Sequence, residues 1–386
     1  MAGREIAWNI LESFAESVAT VCKHAVIAPD MALRWTIIAN PTAGGFVIRR
    51  KWKAHAASLM HIAQHASAQP LRTQEASPSR IAQNIGIKNG LIATTGPGHA
   101  RTITRAVLDE MFKTHQTFFL IITAGGDGTS LEVLHELYLA PEIARSHTVV
   151  LRLPMGTGND GSDAWDVAHA LSLLLSPAPL TKSRAVQLTT ATARTFYAFN
   201  VLSVGLDAFV THNTNAMKGN LPGDSYKLWV DIASLLYDKL YHVGVMDVEV
   251  FDESHKLIDS FSRSVLLLAV GATGYRTYGS HKWILPDERN VCVLNQMSLL
   301  RKLKLKEYFN TGMHVFEKES ALFTAHTVRF RGRYPILAQM DGETTLLNPE
   351  DFPASISLTE ALIPCFAERK IPHVKLESPH ARDGLQ

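Results

Sequence analysis

The stretch Phe118-Phe119-Leu120-Ile121-Ile122-Thr123-Ala124-Gly125-Gly126-Asp127-Gly128-Thr129 decides how this chain folds. Its apolar run, Phe118–Ile122, reads as a strand buried in a parallel sheet. Leu131 to Leu137, just beyond the glycines, reads as a helix. A strand that ends in glycines and opens a helix is how an α/β domain builds a phosphate cradle. Glycine lets backbone N–H groups approach an anion, and the helix N-terminus adds partial positive charge. Asp127 sets a carboxylate where a phosphate would sit. Like charges repel, so Asp127 implies either a Mg²⁺ between the two or a role in proton transfer. No Gly-Lys-Ser/Thr follows, so the loop is not a Walker A sequence. A glycine turn that only lets strand and helix pack is the plainer alternative.

Working outward, the same unit recurs. Trp35–Ala39 reads as a strand running into Asn40-Pro41-Thr42-Ala43-Gly44-Gly45. Gly90–Thr95 is a strand followed by Gly96-Pro97-Gly98-His99-Ala100. His147–Leu153 is another, ending in Pro154-Met155-Gly156-Thr157-Gly158-Asn159-Asp160. Helical patterns cover 46–66 and 164–175, and 69–83 reads as a polar surface loop. Alternating strands and helices predict a parallel sheet with helices on both faces. The turns at 40–45, 94–98, 125–129 and 154–160 then share the carboxyl edge of that sheet, where ligands bind. His61 and His65 have the spacing of a helical metal pair, but no third ligand is near and a solvated face explains them.

After Pro177-Ala178-Pro179 the pattern changes to short β-rich segments: Val186–Thr190, Phe196–Ser203, Val245–Phe251, Ser264–Val270, Val291–Leu294, Thr327–Phe330, Ile336–Met340 and Ile356–Thr359. One helix is expected near 224–240. A second, mainly antiparallel domain follows from this.

Composition narrows the function. A net charge of +2 over 386 residues argues against a nucleic-acid binder. The three cysteines, Cys22, Cys292 and Cys365, have no CxxC spacing, so neither a zinc site nor a disulfide framework is expected and a cytoplasmic setting fits. The longest apolar run, Val265–Val270, is far too short to span a bilayer. Glu5, Glu12 and Glu16 break what would be a signal sequence. Ile6, Ile10, Phe14, Val18 and Val21 recur at helical spacing and predict an N-terminal amphipathic helix packed on the first domain.

The motifs NPTAGG, TTGPGHA, GGDGT and PMGTGND, then Asn200 with Gly205-Leu206-Asp207, then Asp341-Gly342-Glu343, occur in an order that resembles the diacylglycerol kinase catalytic domain family. That family includes bacterial lipid kinases and sphingosine kinases. The resemblance spans roughly 34–370. It implies a Rossmann-like nucleotide-binding α/β domain (34–182, joined by a returning segment at 352–372). A β-sandwich lipid domain (183–351) follows, with a cleft between the two. Residues 1–33 are then an extension and 373–386 a tail.

By the same resemblance Asn40, Pro41, Thr42, Ala43, Gly44 and Thr94 line ATP. Gly126, Asp127, Gly128, Thr129, Ser130, Leu131 and Glu132 hold its phosphates, with Asp127 reaching the ATP-bound Mg²⁺. Thr157 and Asn159 contact the nucleotide. Glu343, with Asp341 beside it, is the general base that takes a proton from the lipid hydroxyl. Asp341-Gly342 is also a two-residue hairpin-turn sequence, and a turn can present a carboxylate. Asp207 reads either as a contact to substrate or as a structural acceptor. Many bacterial members hold a structural Mg²⁺ on a paired-Asp loop, but here that stretch is Pro286-Asp287-Glu288-Arg289-Asn290-Val291-Cys292-Val293, without the pair.

The implied partner is a lipid at a membrane surface, approached peripherally from the cytoplasm. Oligomeric state is open, and a homodimer is compatible with it. Met297–Phe309 interleaves leucines with Arg301, Lys302, Lys304 and Lys306, and Thr327–Tyr334 aligns Arg329, Arg331 and Arg333 on one strand face. Either could meet anionic headgroups, although a solvated strand face also explains the arginines. Two rival readings stand beside the kinase: an NAD kinase-like enzyme, and a catalytically silent lipid- or nucleotide-binding protein.

Overall fold

The computed structural model describes residues 2–72, 74–114, 116–156, 158–177, 179–217, 243–278 and 281–366. The helix expected near 224–240, the tail 373–386 and Thr157 lie outside these residues. Two compact units emerge: the first comprises Met1–Ser183 and a returning segment from Ala361, the second Arg184–Glu360.

The first unit begins with α1 (Ala2–Lys23) and β1 (Ala32–Ala39). Next come α2 (Gly44–Val47), α3 (Arg49–Ser67), β2 (Ala76–Pro78), α4 (Arg80–Ile85), β3 (Leu91–Ala93) and α5 (His99–Met111). β4 (Thr117–Gly125), α6 (Asp127–Leu139), α7 (Glu142–Ser146), β5 (Thr148–Pro154), α8 (Val167–Ser172) and β6 (Thr181–Ser183) complete it. The sheet is parallel. β1 pairs with β4 along its length, and β4 pairs with β5. On its other side β1 pairs with β2 through Leu33–Trp35 and with β3 through Ile37–Ala39. Every residue of β4 is buried, as a central strand covered on both faces requires.

α1 joins this core. Leu11, Phe14, Val18 and Val21 are buried in one cluster with Trp35, Phe46 and Leu59, and Phe14 meets the Phe46 ring edge-on at 5.2 Å. The segment 69–83, expected as a loop, instead supplies β2 and α4. Its polar composition hid them because Ser79 and Arg72 are structural. Ser79 caps α4 through the Ala82 N–H, and the Arg72 guanidinium donates to the carbonyls of Ala25, Ile27, Ala28 and Met31 at 2.6–2.9 Å. The helix expected over 46–66 breaks at Ile48, which is extended and separates α2 from α3.

The second unit runs β7 (Val186–Thr189), β8 (Thr195–Ala198), β9 (Val201–Gly205), α9 (Leu206–Met217), β10 (Val245–Phe251), β11 (Leu257–Gly271), β12 (Arg276–Tyr278) and β13 (Lys282–Leu285). It continues with β14 (Val291–Asn295), α10 (Leu299–Thr311), β15 (Ser320–Phe323), β16 (Thr327–Gly332), β17 (Ile336–Met340), β18 (Glu343–Leu347) and β19 (Ala354–Leu358). All of these strands pair antiparallel, and eleven form one sheet. β11 makes the corner. Its first half pairs with β10 and its second with β9 and β14, with a register shift between Val265 and Leu267. The sheet thereby curls over a core that includes Val248, Val250, Leu268, Phe330, Met340 and Ile356. Parallel α/β followed by antiparallel β is the fold class that the sequence pattern predicts.

Against β13, buried His314 stacks on Phe309 with ring centroids 4.2 Å apart, and burial lowers its pKa to about 4. Neutral when folded, it must take up a proton on unfolding anywhere between that value and its ordinary 6.5. The unfolded state therefore binds more protons in that window, and stability falls as pH drops through it. The loss is expected to reach on the order of 3 kcal/mol near pH 4, and His314→Phe should flatten this dependence in denaturation curves measured across the window. Arg72→Ala leaves four carbonyls without a charged donor. It should lower stability by about 2 kcal/mol, read as a drop in melting temperature of the full chain.

Candidate functional site

Because the strands of the first unit are parallel, β1, β3, β4 and β5 all end at one edge, and each of the four turns begins there. The turns are tied to each other. The Asn40 N–H donates to the Ala124 carbonyl at 2.9 Å, the Thr94 N–H to Ala39 at 2.7 Å, and the Gly45 N–H to Met155 at 2.8 Å. Asn40 Oδ1 accepts from the Thr42 N–H (3.0 Å) and hydroxyl (2.8 Å), closing the Asn-Pro-Thr turn on itself. Pro41 and Gly44 are half-buried, Ala43 is buried and Thr42 is exposed.

Two glycines carry the approach of the third and fourth loops. A Cβ on Gly156 would lie 2.6 Å from Gly126 Cα, a distance no side chain tolerates. Asn159, left-handed at φ 59°, folds its amide back onto Gly156, with Oδ1 accepting the Gly156 N–H at 2.6 Å. Asp127 opens α6, and its Oδ1 accepts the Gly161 N–H at 3.0 Å. A Cβ on Gly158 would come within 3.0 Å of Asp127 Oδ2, so any larger residue there would crowd that carboxylate. Gly128 lies in the first helical turn, Thr129 packs against Gly125, Ser130 bonds Thr123 at 2.9 Å, and Leu131 is half-buried.

Glu132 has a different position from the one its motif suggests. Its two oxygens accept the N–H groups of Gly98 (2.7 Å) and Arg101 (3.2 Å), so it caps α5. A further pair was not legible in sequence. Arg152 and Asp163 share an ion pair at 2.5 Å, and Asp163 also accepts the Arg152 N–H at 2.7 Å. This clasp folds the 155–163 loop back on β5. The two stand eleven positions apart with a turn between them, and no sequence signal couples them.

In the second unit, Asp341 and Gly342 are both left-handed, at φ 47° and 103°, which makes a type I′ turn between β17 and β18. Asp341 is buried. Its carboxylate accepts from three successive backbone N–H groups, those of Phe199, Asn200 (3.0 Å) and Val201 (2.9 Å). That interaction splits the segment expected as one strand, 196–203, into β8 and β9. Glu343, two residues on, is exposed, and its side chain makes no hydrogen bond or ion pair to the described residues. Its neighbours are held from α9: Asn215 Nδ2 donates to the Gly342 carbonyl at 2.8 Å, and His212 Nδ1 lies 3.2 Å from the Thr344 hydroxyl. Asp207, also on α9, accepts from Ser203 Oγ at 2.7 Å, and Gln339 Nε2 bridges to the same group. These bonds support its reading as a structural acceptor.

The residues at 286–293 do not suit a structural cation. Asp287 already holds one, the guanidinium of Arg289, whose Nε lies 3.0 Å from Oδ1. Burial raises the Asp287 pKa, but the bonds and charge of Arg289 outweigh it and the net shift is downward. Among the described residues no three His, Cys, Asp or Glu side chains gather as a metal site, and no helix is long and apolar enough to cross a membrane. His61 and His65 are exposed.

Residues 34–191 match the family model for the diacylglycerol kinase catalytic domain. The resemblance carried by the motifs is therefore borne out over that span. Among solved structures, a "putative diacylglycerol kinase" from Bacillus anthracis str. Sterne aligns with TM-score 0.56 and 18% identity, over 88% of this chain and 96% of that one. A diacylglycerol kinase from the same organism aligns with TM-score 0.51 and 14% identity, over 88% and 98%. At these identities the likeness is one of fold. A search of curated proteins returned no match.

The two acids of the Asp-Gly-Glu turn separate by stability. Asp341→Asn puts an amide against three N–H donors and should cost about 2 kcal/mol. Glu343→Gln, at an exposed and unpartnered position, should leave the melting temperature within about one degree of the parent.

Proposed function

We propose that this chain is an ATP-dependent, Mg²⁺-requiring lipid kinase that transfers the γ-phosphoryl group of ATP to a hydroxyl of a diacylglycerol-like or sphingoid lipid. The observation that carries this reading is the family match over 34–191, in a sheet whose four glycine- or threonine-bearing turns open at one edge. In this reading Asn40 to Gly44 and Thr94 line the nucleotide, together with Asn159 and Thr157. The start of α6, from Gly126 to Leu131, offers the partial positive charge of a helix N-terminus to the phosphates. Asp127 supplies a hard oxygen ligand for Mg²⁺, which when bound neutralises phosphate charge and fixes the phosphates for in-line attack. Glu132 acts one step back, holding the start of α5.

Glu343 is the residue we assign as general base. An uncommitted carboxylate can accept the proton of an attacking hydroxyl, whereas Asp341 already spends its lone pairs on three backbone N–H groups. Asp341 is then a positioning residue. It fixes a turn that keeps Glu343 on a defined backbone while leaving its side chain accessible.

The test is transfer of labelled γ-phosphate from Mg-ATP to a panel of diacylglycerol, monoacylglycerol, ceramide, sphingosine, phosphatidylglycerol and NAD. Label in an organic-phase product is expected, with Glu343→Gln lowering kcat by roughly 10²–10⁴-fold in a fully folded protein. Label only in a phosphorylated NAD would instead make this an NAD kinase-like enzyme. ATP binding without any labelled product would sink the kinase reading in favour of a silent binding protein.

A further inference from the structure

In the two segments whose sequence suggested membrane contact, several of the cations are engaged. On β16, Arg329 reaches Glu249 at 3.3 Å and stacks on the Phe251 ring, and Arg331 stands opposite Asp247 in the ladder. On α10, Arg301 is paired to Glu317 and Glu319, and Lys302 is buried. Arg331 and Arg333 are exposed and make no side-chain hydrogen bond or ion pair among the described residues, and a larger cluster of such charges lies at the start of α3. Arg49, Arg50 and Lys53 are exposed and make no hydrogen bond or ion pair among the described residues.

Nothing in the fold of the first unit accounts for these charges. The first turn of α3 contains no acid, and cations at a helix N-terminus oppose the helix dipole. Directly before them, Val47 and Ile48 are 61% and 45% exposed. Ile48 leaves helical geometry, so the chain turns a corner there with two aliphatic side chains in solvent. Apolar side chains that enter the headgroup layer, beside cations that attract anionic headgroups, form a surface suited to a bilayer.

We propose that the α2–α3 corner is a docking surface for an anionic bilayer, with Val47 and Ile48 inserting and Arg49, Arg50 and Lys53 meeting lipid phosphates. The proposal rests on the reading that the acceptor is a membrane lipid. Charge complementarity selects the occupant, because uncompensated arginines beside aliphatic side chains suit neither a neutral bilayer nor an apolar protein face. Leu299, Leu300 and Leu303 on α10 are also exposed, at 45%, 79% and 44%, and Arg301 among them is already paired with Glu317 and Glu319. They supply the control.

The experiment is flotation of the full chain with vesicles of phosphatidylcholine, with and without phosphatidylglycerol, in the absence of ATP and of any acylglycerol. Binding only to the anionic vesicles, weakened by salt, is expected. Arg49→Gln with Arg50→Gln and Lys53→Gln should weaken it by tenfold or more, and Val47→Ser with Ile48→Ser should also weaken it. Leu299→Ser with Leu300→Ser and Leu303→Ser should leave it unchanged. Absence of vesicle binding would overturn the proposal, as would loss in the α10 variant alone. If the triple charge variant instead weakens Mg-ATP binding and leaves flotation intact, the cations serve a free polyphosphate and the proposal fails. Because no phosphoryl transfer is involved, vesicle binding with no kinase activity would leave the docking surface standing and remove only the catalytic reading.

Discussion

A backbone N–H buried without an acceptor costs about 1–3 kcal/mol, and both units answer such groups with an acid from a neighbouring element. Glu110 on α5 accepts the N–H groups of Arg80 and Ile81 at the start of α4. Glu132 on α6 does the same for the start of α5. Each helix is thus fixed by the next, so the entry of α5 beside the Thr94–Gly98 turn is set by α6, the helix that Asp127 opens. In the second unit Asp341 meets three N–H groups at the break between β8 and β9. These carboxylates do what a hydrophobic core cannot: they set where chain ends and turns point.

Much of the first unit was legible because its signals are local. Wholly apolar strands, glycine turns and helical periodicity all lie within a dozen residues, and the parallel sheet follows from their alternation. β2 and α4 were hidden because a three-residue strand and a six-residue helix are too short to show a period. α10 was legible only as a run of leucines interleaved with cations, and neither its helix nor its charge balance was read. Arg301 is neutralised from Glu317 and Glu319, which sequence alone does not bring together.

The site residues divide in the same way. Glycines and the Asp341-Gly342 turn were legible because backbone conformation restricts which residues fit. The partners of acids were not. Glu132 sits in a phosphate-binding motif and yet caps a helix, and Asp341 lies beside the assigned base and yet is fully engaged. Asp207 is drawn into the Ser203–Gln339 network across β9 and β17. A motif gives the position of a carboxylate, whereas its hydrogen bonds determine whether lone pairs remain for chemistry.

The Asp341-Gly342-Glu343 turn therefore joins two demands of unequal strictness. Position 341 must tolerate a left-handed backbone and present a short carboxylate to three donors, and few residues other than aspartate do both. Position 343 is under no comparable structural demand, since its side chain makes no hydrogen bond or ion pair among the described residues. Drift among descendants of such a chain would then be asymmetric. Asp-Gly would persist in copies that had abandoned catalysis, as the signature of a hairpin that still folds, and the third letter of the motif would be free to change as soon as the chemistry was no longer needed.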